Sequence, residues 1–348
     1  MKKLLWSVGI IVVVLAAGAA LMWWWIGRPM YEPGDVRAGR DLGAPLDPPP
    51  QDTEGVWTVE PQIRLRTFSS GTGQNVLFVH GGPGFPATEP YAGFEALKNE
   101  LRVHYYDQRG SGKSTRPFDR FTASSYGANM KQLEGTLGIG AQIADIERIR
   151  RILGEDKLML VGHSWGGLLA ALYAAEFPER VAKLVLIAPA SMLVMPSPEG
   201  DFFQTVRAKL PEARRAEFDA WQKQYFDFGG LFDKNEKQLA ALHADFGRFY
   251  QEAAGNTAAE MPADGGGWMV WAQYLSLGRR HDWRDALRKV SAPVLVLHGA
   301  ADLQPEAASR TYATAFPNGR LEVLKGCGHF PQAQCPEAFA EAVGRFLR

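Results

Sequence analysis

Short apolar runs alternate with amphipathic helical stretches after Val56, and this alternation constrains the fold more than any other feature of the chain. Runs of this kind, rich in Val, Ile and Leu, are typical of strands buried on both faces of a sheet. They comprise residues 63–68, 75–80, 101–107, 157–162, 181–188, 292–299 and 320–324. Helices are indicated at 139–153, where one face stays apolar, and at 168–177 and 336–347. The alternation predicts an α/β fold, a mostly parallel sheet with helices on both faces.

The segment 190–282 interrupts this alternation. It contains no strand-like run and consists of amphipathic stretches rich in aromatic residues. We therefore expect a helical cap inserted between two parts of the core, residues 56–189 and 283–348. Residues 28–55 contain many prolines and glycines, among them Pro48 to Pro50, and are interpreted as a linker.

The N-terminal segment 1–27 is interpreted as a single membrane-spanning anchor. It is uncharged from Leu4 to Gly27, which exceeds the about 20 mostly apolar residues that a spanning helix needs. Lys2 and Lys3 favour a cytoplasmic N-terminus, which would place the rest of the chain outside the membrane, in the periplasm or at the cell surface. The alternative is a cleaved signal peptide with its small-residue site at 17–19, although the apolar run continues beyond that site.

A serine stands between two glycines in the stretch Gly162-His163-Ser164-Trp165-Gly166, after a predicted strand and before a predicted helix. In that context the pattern G-x-S-x-G holds a nucleophilic serine on a tight turn. The alternative is an ordinary strand-to-helix turn, in which glycine and serine serve only the geometry.

Two further polar residues follow predicted strands. Asp302 comes after the strand 292–299, and His329 comes after the strand 320–324. The order Ser164, Asp302, His329 is the order of the catalytic triad in α/β-hydrolases. Each residue has a structural alternative, because Asp302 could cap the helix that opens at Pro305 and His329 could be an ordinary loop histidine. The three together, each at the C-terminal end of a strand, favour the triad.

The expected roles follow from acid–base chemistry. His329 would take the proton of the Ser164 hydroxyl, and Asp302 would fix the histidine tautomer and stabilise the imidazolium. The oxyanion would be stabilised by the backbone amides of Trp165 and Gly82, with Gly81 as the alternative to Gly82.

Other chemistries are disfavoured. The formal net charge is zero with both signs mixed, so no nucleic-acid partner is expected. Asp107 stands where a phosphate-binding loop ending at Ser114 would need its first glycine, so that motif is rejected; Asp107 and Arg109 are expected to brace the loops around the site. No cluster of residues has metal-ligand spacing, so neither a metal nor a cofactor is expected.

Five motifs together resemble the proline iminopeptidases of the α/β-hydrolase superfamily. They are HGGPG at 80–84, DQRGSGKS at 107–114, ADIERIR at 144–150, GHSWGG at 162–167 and GHFPQAQCPEAF at 328–339. The likeness covers roughly residues 76–187 and 292–348. It implies a serine aminopeptidase that releases N-terminal proline or another small residue from peptides, with a helical cap over the site.

The cap departs from the family pattern at one position. Members of the family bind the free amine of the substrate through acidic residues of the cap, one commonly in a Trp-x-x-Trp-Glu stretch. Here the stretch Trp268 to Trp271 is followed by Ala272, and Glu260 or Asp264 would have to substitute. Trp268 and Trp271 themselves are interpreted as cap core rather than as a substrate shelf. An esterase or lactonase with the same triad, and a non-catalytic surface binding module, remain as alternatives.

Cys327 and Cys335 are the two cysteines of the chain, and they lie eight residues apart on either side of His329. Disulfides persist in exported proteins, so an anchored, exported domain predicts a bridge between them. The alternative is a pair of buried thiols, which behave as small apolar residues.

Overall fold

The computed structural model describes residues 27–43, 54–255 and 265–348. Its main sheet contains strands β1 (Glu54–Glu60), β2 (Ile63–Ser70), β3 (Gln74–Val79), β4 (Leu101–Tyr106), β5 (Leu158–His163), β6 (Val181–Ile187), β9 (Val294–Gly299) and β10 (Gly319–Leu324). A separate pair consists of β7 (Val194–Met195) and β8 (His281–Asp282). The helices are α1 (Asp35–Gly39), α2 (Ala92–Glu95), α3 (Tyr126–Leu137), α4 (Ile139–Ile152), α5 (Trp165–Glu176), α6 (Phe202–Lys209), α7 (Glu212–Tyr225), α8 (Glu236–Ala253), α9 (Trp268–Leu277), α10 (Arg284–Leu287), α11 (Glu306–Ala315), α12 (Pro331–Gln334) and α13 (Pro336–Leu347).

The main sheet has the strand order β1-β2-β4-β3-β5-β6-β9-β10. Every neighbouring pair from β4 to β10 is parallel, and only β1 and β2 run antiparallel to their neighbours. The prediction of a mostly parallel sheet is confirmed. Because β5, β9 and β10 are parallel, their C-terminal ends lie along the same edge of the sheet, where Ser164, Asp302 and His329 come after them.

Helices cover both faces of this sheet. Alternate residues of β6 point to opposite sides: Leu184 and Leu186 pack in the cluster that contains α4 and α5. Val185 and Ile187 pack in the cluster that contains α2 and α13. The strands are therefore buried on both faces, which explains why the sequence shows continuous apolar runs there.

The cap lies between β6 and β9. Its helices α6 to α9 share an aromatic core in which Trp268 and Trp271 are fully buried. Their indole nitrogens donate to the backbone carbonyls of Asp119 at 3.1 Å and Tyr225 at 2.9 Å. The interpretation of both tryptophans as cap core is confirmed. The pairing of β7 with β8 joins the two ends of this insertion.

The interpretation of residues 28–55 as a linker is wrong for its first part. Residues 27–43 pack on the core, with Tyr31 and Val36 buried. Glu176 at the end of α5 is also buried, and it accepts hydrogen bonds from the Tyr31 hydroxyl and from the amides of Gly34, Val36 and Arg37. Proline and glycine in this segment removed the periodic pattern by which a packed segment is recognised, although the side chains still bury.

The boundaries of two other expected segments also shift. Gly27, assigned to the anchor, belongs to the folded body, because its carbonyl accepts a hydrogen bond from the Arg279 amide at 2.9 Å. Strand β1 begins at Glu54, before the expected start of the core. The rest of the expected anchor 1–27, namely residues 1–26, lies outside the described residues, as do Pro48 to Pro50. Within the described ranges, no helix combines the length and the apolar character needed to span a membrane.

Candidate active site

Ser164 lies on a sharp turn between β5 and α5. Its backbone has φ 53° and ψ −118°, a conformation that residues with a side chain rarely adopt. The flanking glycines are sterically required, since an added Cβ at Gly162 would lie 2.3 Å from the carbonyl oxygen of Gly166. An added Cβ at Gly166 would lie 2.1 Å from the carbonyl oxygen of Val79. The turn therefore has the strained geometry that G-x-S-x-G predicts.

Asp302 and His329 form a hydrogen-bonded pair at the neighbouring strand ends. The distance from His329 Nδ1 to Asp302 Oδ2 is 2.8 Å, and the Asp302 side chain is fully buried. The other Asp302 oxygen, Oδ1, accepts from the Gln304 amide at 2.9 Å. Helix α11 has Pro305 at its N-cap position and no side-chain cap, so the alternative interpretation of Asp302 as its cap is not supported.

Ser164 and His329 line the same cavity, which has an empty volume of about 460 Å³. Most of its wall is aromatic or glycine: Gly81, Gly82, Phe85, Tyr91, Phe202, Phe246, Tyr250 and Phe330. Among the described residues, none of the side chains lining this cavity is a carboxylate. Glu260 and Asp264 lie outside the described residues. The structure thus places Ser164 and His329 on the wall of one cavity suited to an apolar group, with Asp302 hydrogen-bonded to His329 behind it.

The loop that carries His329 is fixed by two side chains that the sequence reasoning did not assign to it. Gln334 Oε1 accepts from the amides of Gly328 at 3.0 Å and Phe330 at 3.1 Å, on either side of the histidine. His163 Nε2 lies 2.8 Å from the His329 carbonyl oxygen. An N–H must donate there, so this contact requires Nε2 of His163 to carry a proton. Burial, with His329 nearby, holds the pKa of His163 well below its ordinary value, so the ring is neutral.

His80 has a similar supporting role, since its ring contacts backbone groups of Gln108 and Gly81. Its Nε2 accepts from the Gln108 amide at 3.0 Å, and its Nδ1 lies 2.9 Å from the Gly81 carbonyl oxygen. Burial lowers the pKa of His80 to about 4. Both contacts suit a neutral ring with its proton on Nδ1. His80 and His163 therefore both hydrogen-bond to backbone groups around the site.

The expected oxyanion donors lie around Ser164. Trp165 is the first residue of α5, so its amide has no partner four residues earlier within the helix. Gly81 and Gly82 both line the cavity, and an added Cβ at Gly81 would lie 2.8 Å from Ser164 Cβ. Gly82 has φ 122°, a conformation that favours glycine. These positions are compatible with either glycine as the second donor.

Trp165 also connects the serine turn to the cap. Its indole nitrogen donates to Gln273 Oε1 on α9, and its ring packs edge-on against Tyr274 with centroids 5.5 Å apart. The sequence places a tryptophan beside the serine but contains no signal for its partner, because the rotation of α9 about its axis depends on the packing of the whole cap.

Asp107 and Arg109 brace loops, as expected. The Arg109 guanidinium contacts both oxygens of the buried Asp145 carboxylate and lies 2.9 Å from Glu60 Oε1. Asp107 Oδ2 accepts from the Lys113 amide at 2.9 Å.

The expected bridge between Cys327 and Cys335 is present, with the two Cα atoms 5.9 Å apart. It links the His329 loop to the start of α13. The Cys327 carbonyl also accepts from the Ala301 amide at 2.8 Å, next to Asp302. The prediction of a disulfide is confirmed.

Comparisons with known proteins identify the family and the fold. A family model described as alpha/beta hydrolase fold matches residues 74–335. A proline iminopeptidase from Lactobacillus delbrueckii subsp. lactis is 27% identical over 291 residues, covering 78% of this chain and 89% of the relative. A proline iminopeptidase from Heyndrickxia coagulans is 25% identical over 289 residues, covering 80% and 92%.

Solved structures show the same fold. A proline iminopeptidase from Mycobacterium smegmatis has a TM-score of 0.58 at 20% identity, covering 84% of this chain and 97% of that one. A thermophilic esterase from Thermogutta terrifontis has a TM-score of 0.54 at 26% identity, covering 86% and 98%. The extent of the family match shows that this chain belongs to the alpha/beta hydrolase fold family, as a hydrolytic enzyme similar to the proline iminopeptidases.

Proposed function

We propose that Ser164, His329 and Asp302 form the catalytic triad of this serine hydrolase and that the reaction passes through an acyl-enzyme. The observation that carries the proposal is the buried His329–Asp302 pair in the same cavity as the serine of the strained turn. With Nδ1 of His329 held by the carboxylate, Nε2 is the nitrogen left to take the serine proton.

The proposed triad implies the following steps of the hydrolytic reaction. Ser164 Oγ attacks the substrate carbonyl carbon while His329 Nε2 accepts its proton, and the oxyanion is stabilised by the amides of Trp165 and Gly82. His329 then returns the proton to the leaving group, and the acyl group stays on Ser164. A water molecule, deprotonated by His329, hydrolyses the acyl-enzyme in the second half of the cycle.

We propose that the substrate is a peptide with an N-terminal proline or another small apolar residue. The named function of the curated relatives and the small aromatic cavity beside Ser164 both support this choice. The free amine of such a substrate needs a carboxylate, and we propose Glu260 or Asp264 of the cap for this role.

A short-chain ester or a lactone is the second candidate substrate. It is favoured by the lack of a carboxylate among the described side chains that line the cavity, and by Ala272 after Trp271. The esterase from Thermogutta terrifontis is a relative of similar identity.

Three substrates distinguish the two candidates. Proline p-nitroanilide, its N-acetylated form and p-nitrophenyl butyrate are assayed side by side on wild type, Glu260→Gln and Asp264→Asn. An aminopeptidase cleaves the first far faster than the second, and loss of the amine-binding acid raises KM for the first alone. Equal cleavage of both prolyl substrates, with faster cleavage of the ester, would assign the enzyme as an esterase.

We also propose that residues 1–26 anchor the enzyme in the membrane with the hydrolase domain on the extracytoplasmic side. The uncharged run Leu4 to Ile26, the lysines before it and the Cys327–Cys335 bridge support this location. The full chain should stay with membranes after alkaline carbonate extraction and be digested by protease added to spheroplasts. A mature N-terminus near residue 20 would identify a signal peptide instead.

A further inference from the structure

A second cavity lies in the cap beside the place where the N-terminal segment joins the folded body. Its volume is about 560 Å³, and the cavity is open to solvent on one side. Partly exposed apolar side chains form much of its wall: Met192, Met195, Phe202, Phe226, Phe228 and Tyr274. Asp201 also lines it, but this carboxylate caps α6 by accepting from the Phe203 amide at 2.9 Å. The cavity is thus mainly apolar and suits a ligand without charge along most of its length.

The N-terminal segment enters the folded body at the rim of this cavity, beginning with Gly27. The Arg279 amide, on a residue that lines the cavity, donates to the Gly27 carbonyl, and the Met30 amide donates to the Ser276 carbonyl at 3.0 Å. Gly27, which follows the uncharged run from Leu4 to Ile26 in the sequence, therefore lies at the cavity rim. A membrane anchor made of that run would hold the rim at the bilayer surface.

One exposed apolar side chain lies beside the contact between the N-terminal segment and the cap, and another lines the cavity. Met30 and Phe226 are 37% and 36% exposed, and they are two of the few large hydrophobic side chains that the described residues expose to this degree. Three arginines, Arg28, Arg279 and Arg280, lie where residues 27–30 contact residues 276–280. Arginine at the end of an apolar span can keep its stem in apolar surroundings and its charge at the headgroups.

We propose that this cavity binds an acyl chain of a bilayer phospholipid. The proposal rests on the membrane anchor and not on the substrate of the hydrolase. The anchor would hold the cavity at the bilayer surface, where phospholipid acyl chains are present at high local concentration. Phe202 lines both this cavity and the one that contains Ser164, so the bound chain lies one side chain away from the catalytic cavity.

Photolabelling of the full chain in lipid nanodiscs tests the proposal. The probe is a phosphatidylcholine with a diazirine at the end of one acyl chain, and labelled residues are mapped by mass spectrometry. Labels are expected on the cavity-lining residues of 192–203 and 226–228. Phe226→Glu should reduce that labelling by roughly tenfold, because it removes an aromatic wall and adds a charge.

Matched variants keep the result interpretable. Val56→Glu changes the similarly exposed Val56 on β1 and should leave the labelling unchanged. Met192→Trp fills the cavity from its other side and should also reduce the labelling, and normal turnover of a soluble substrate shows that each variant is folded. Labels confined to residues 1–30 would overturn the proposal. Such a result is expected if the chain's own apolar run, and not a lipid, occupies the cavity. Labelling of the cavity-lining residues that neither Phe226→Glu nor Met192→Trp reduces would also overturn the proposal.

Discussion

Ser164 is the residue on which the proposed chemistry depends, and its removal gives the most direct test. Ser164→Ala should reduce turnover by at least about a thousandfold, because a triad acts as a unit and only oxyanion stabilisation and binding remain. The variant should unfold at the same temperature as wild type and lose labelling by a fluorophosphonate. More than a few per cent of residual activity would contradict the assignment. Absence of fluorophosphonate labelling in wild type would instead favour a non-catalytic binding module.

The pKa of the single residue His80 predicts how the stability of the protein depends on pH. Its pKa is about 4 in the folded protein and about 6.5 in the unfolded chain. As the pH falls from 6.5 to 4, the unfolded chain takes up a proton that the folded protein does not, so stability decreases over this range. The loss attributable to His80 is about 3 kcal/mol at pH 4.

The contribution of His80 to this pH dependence is isolated by comparing wild type with His80→Gln. The side-chain amide of the introduced glutamine can still accept from the Gln108 backbone amide and donate to the Gly81 carbonyl. Urea unfolding between pH 7 and pH 4.5, about half a unit above the folded pKa, should show a smaller loss of stability in the variant. Parallel curves for the two proteins would mean that His80 does not titrate as described.

The serine turn is an element whose shape depends on glycine. Gly166→Ala should destabilise the protein by several kcal/mol and abolish activity, because its Cβ would lie 2.1 Å from the Val79 carbonyl oxygen, and backbone on both sides is fixed. Gly135→Ala on α3 is the matched control. Nothing lies within 4 Å of an added Cβ there, so the change should stabilise the protein by about 0.5–1 kcal/mol. Thermal unfolding of the two variants gives the comparison.

The loop of His329 is a second element with a testable constraint. Native protein should contain no free thiol in denaturant before reduction. Reduction, or the double change Cys327→Ser and Cys335→Ser, should cost about 2 kcal/mol of stability, since the closed loop is short. Turnover should fall while KM stays nearly constant, because the bridge holds His329 and not the substrate. Reductant should have no effect on the double variant.

Elements and site residues differ in how far the sequence determines them. Strands such as 181–188 were predictable because burial on both faces leaves a continuous apolar run. Asp302 and His329 were predictable because parallel strands end at one edge of the sheet, so the loops after them lie close together. Phe202, Phe246 and Tyr250 were not, because every cap helix is rich in aromatic residues and only tertiary packing decides which ones face Ser164. Gln334 gave no signal, since it holds the His329 loop through contacts with backbone amides, which no sequence pattern reveals.

At the scale of the whole molecule, Gly27 already contacts the folded body through the Arg279 amide, and this contact sets where the chain can be cut. Removal of residues 1–26 should give a soluble protein with wild-type activity and stability. Removal of residues 1–53 should destabilise the protein by roughly 3–5 kcal/mol, because the buried Glu176 carboxylate loses the Tyr31 hydroxyl and three amides as donors.

Glu176→Gln separates this explanation from a simple loss of apolar packing. In the protein that lacks residues 1–53, the change removes the unpaired charge and should recover part of the stability. In the protein that lacks only residues 1–26, it should instead destabilise by about 1–3 kcal/mol, because a charge with satisfied donors is replaced by an amide that brings donors of its own. Chemical denaturation of the four proteins gives the measurement. Equal effects of Glu176→Gln in both backgrounds would show that residues 31–37 do not stabilise this carboxylate.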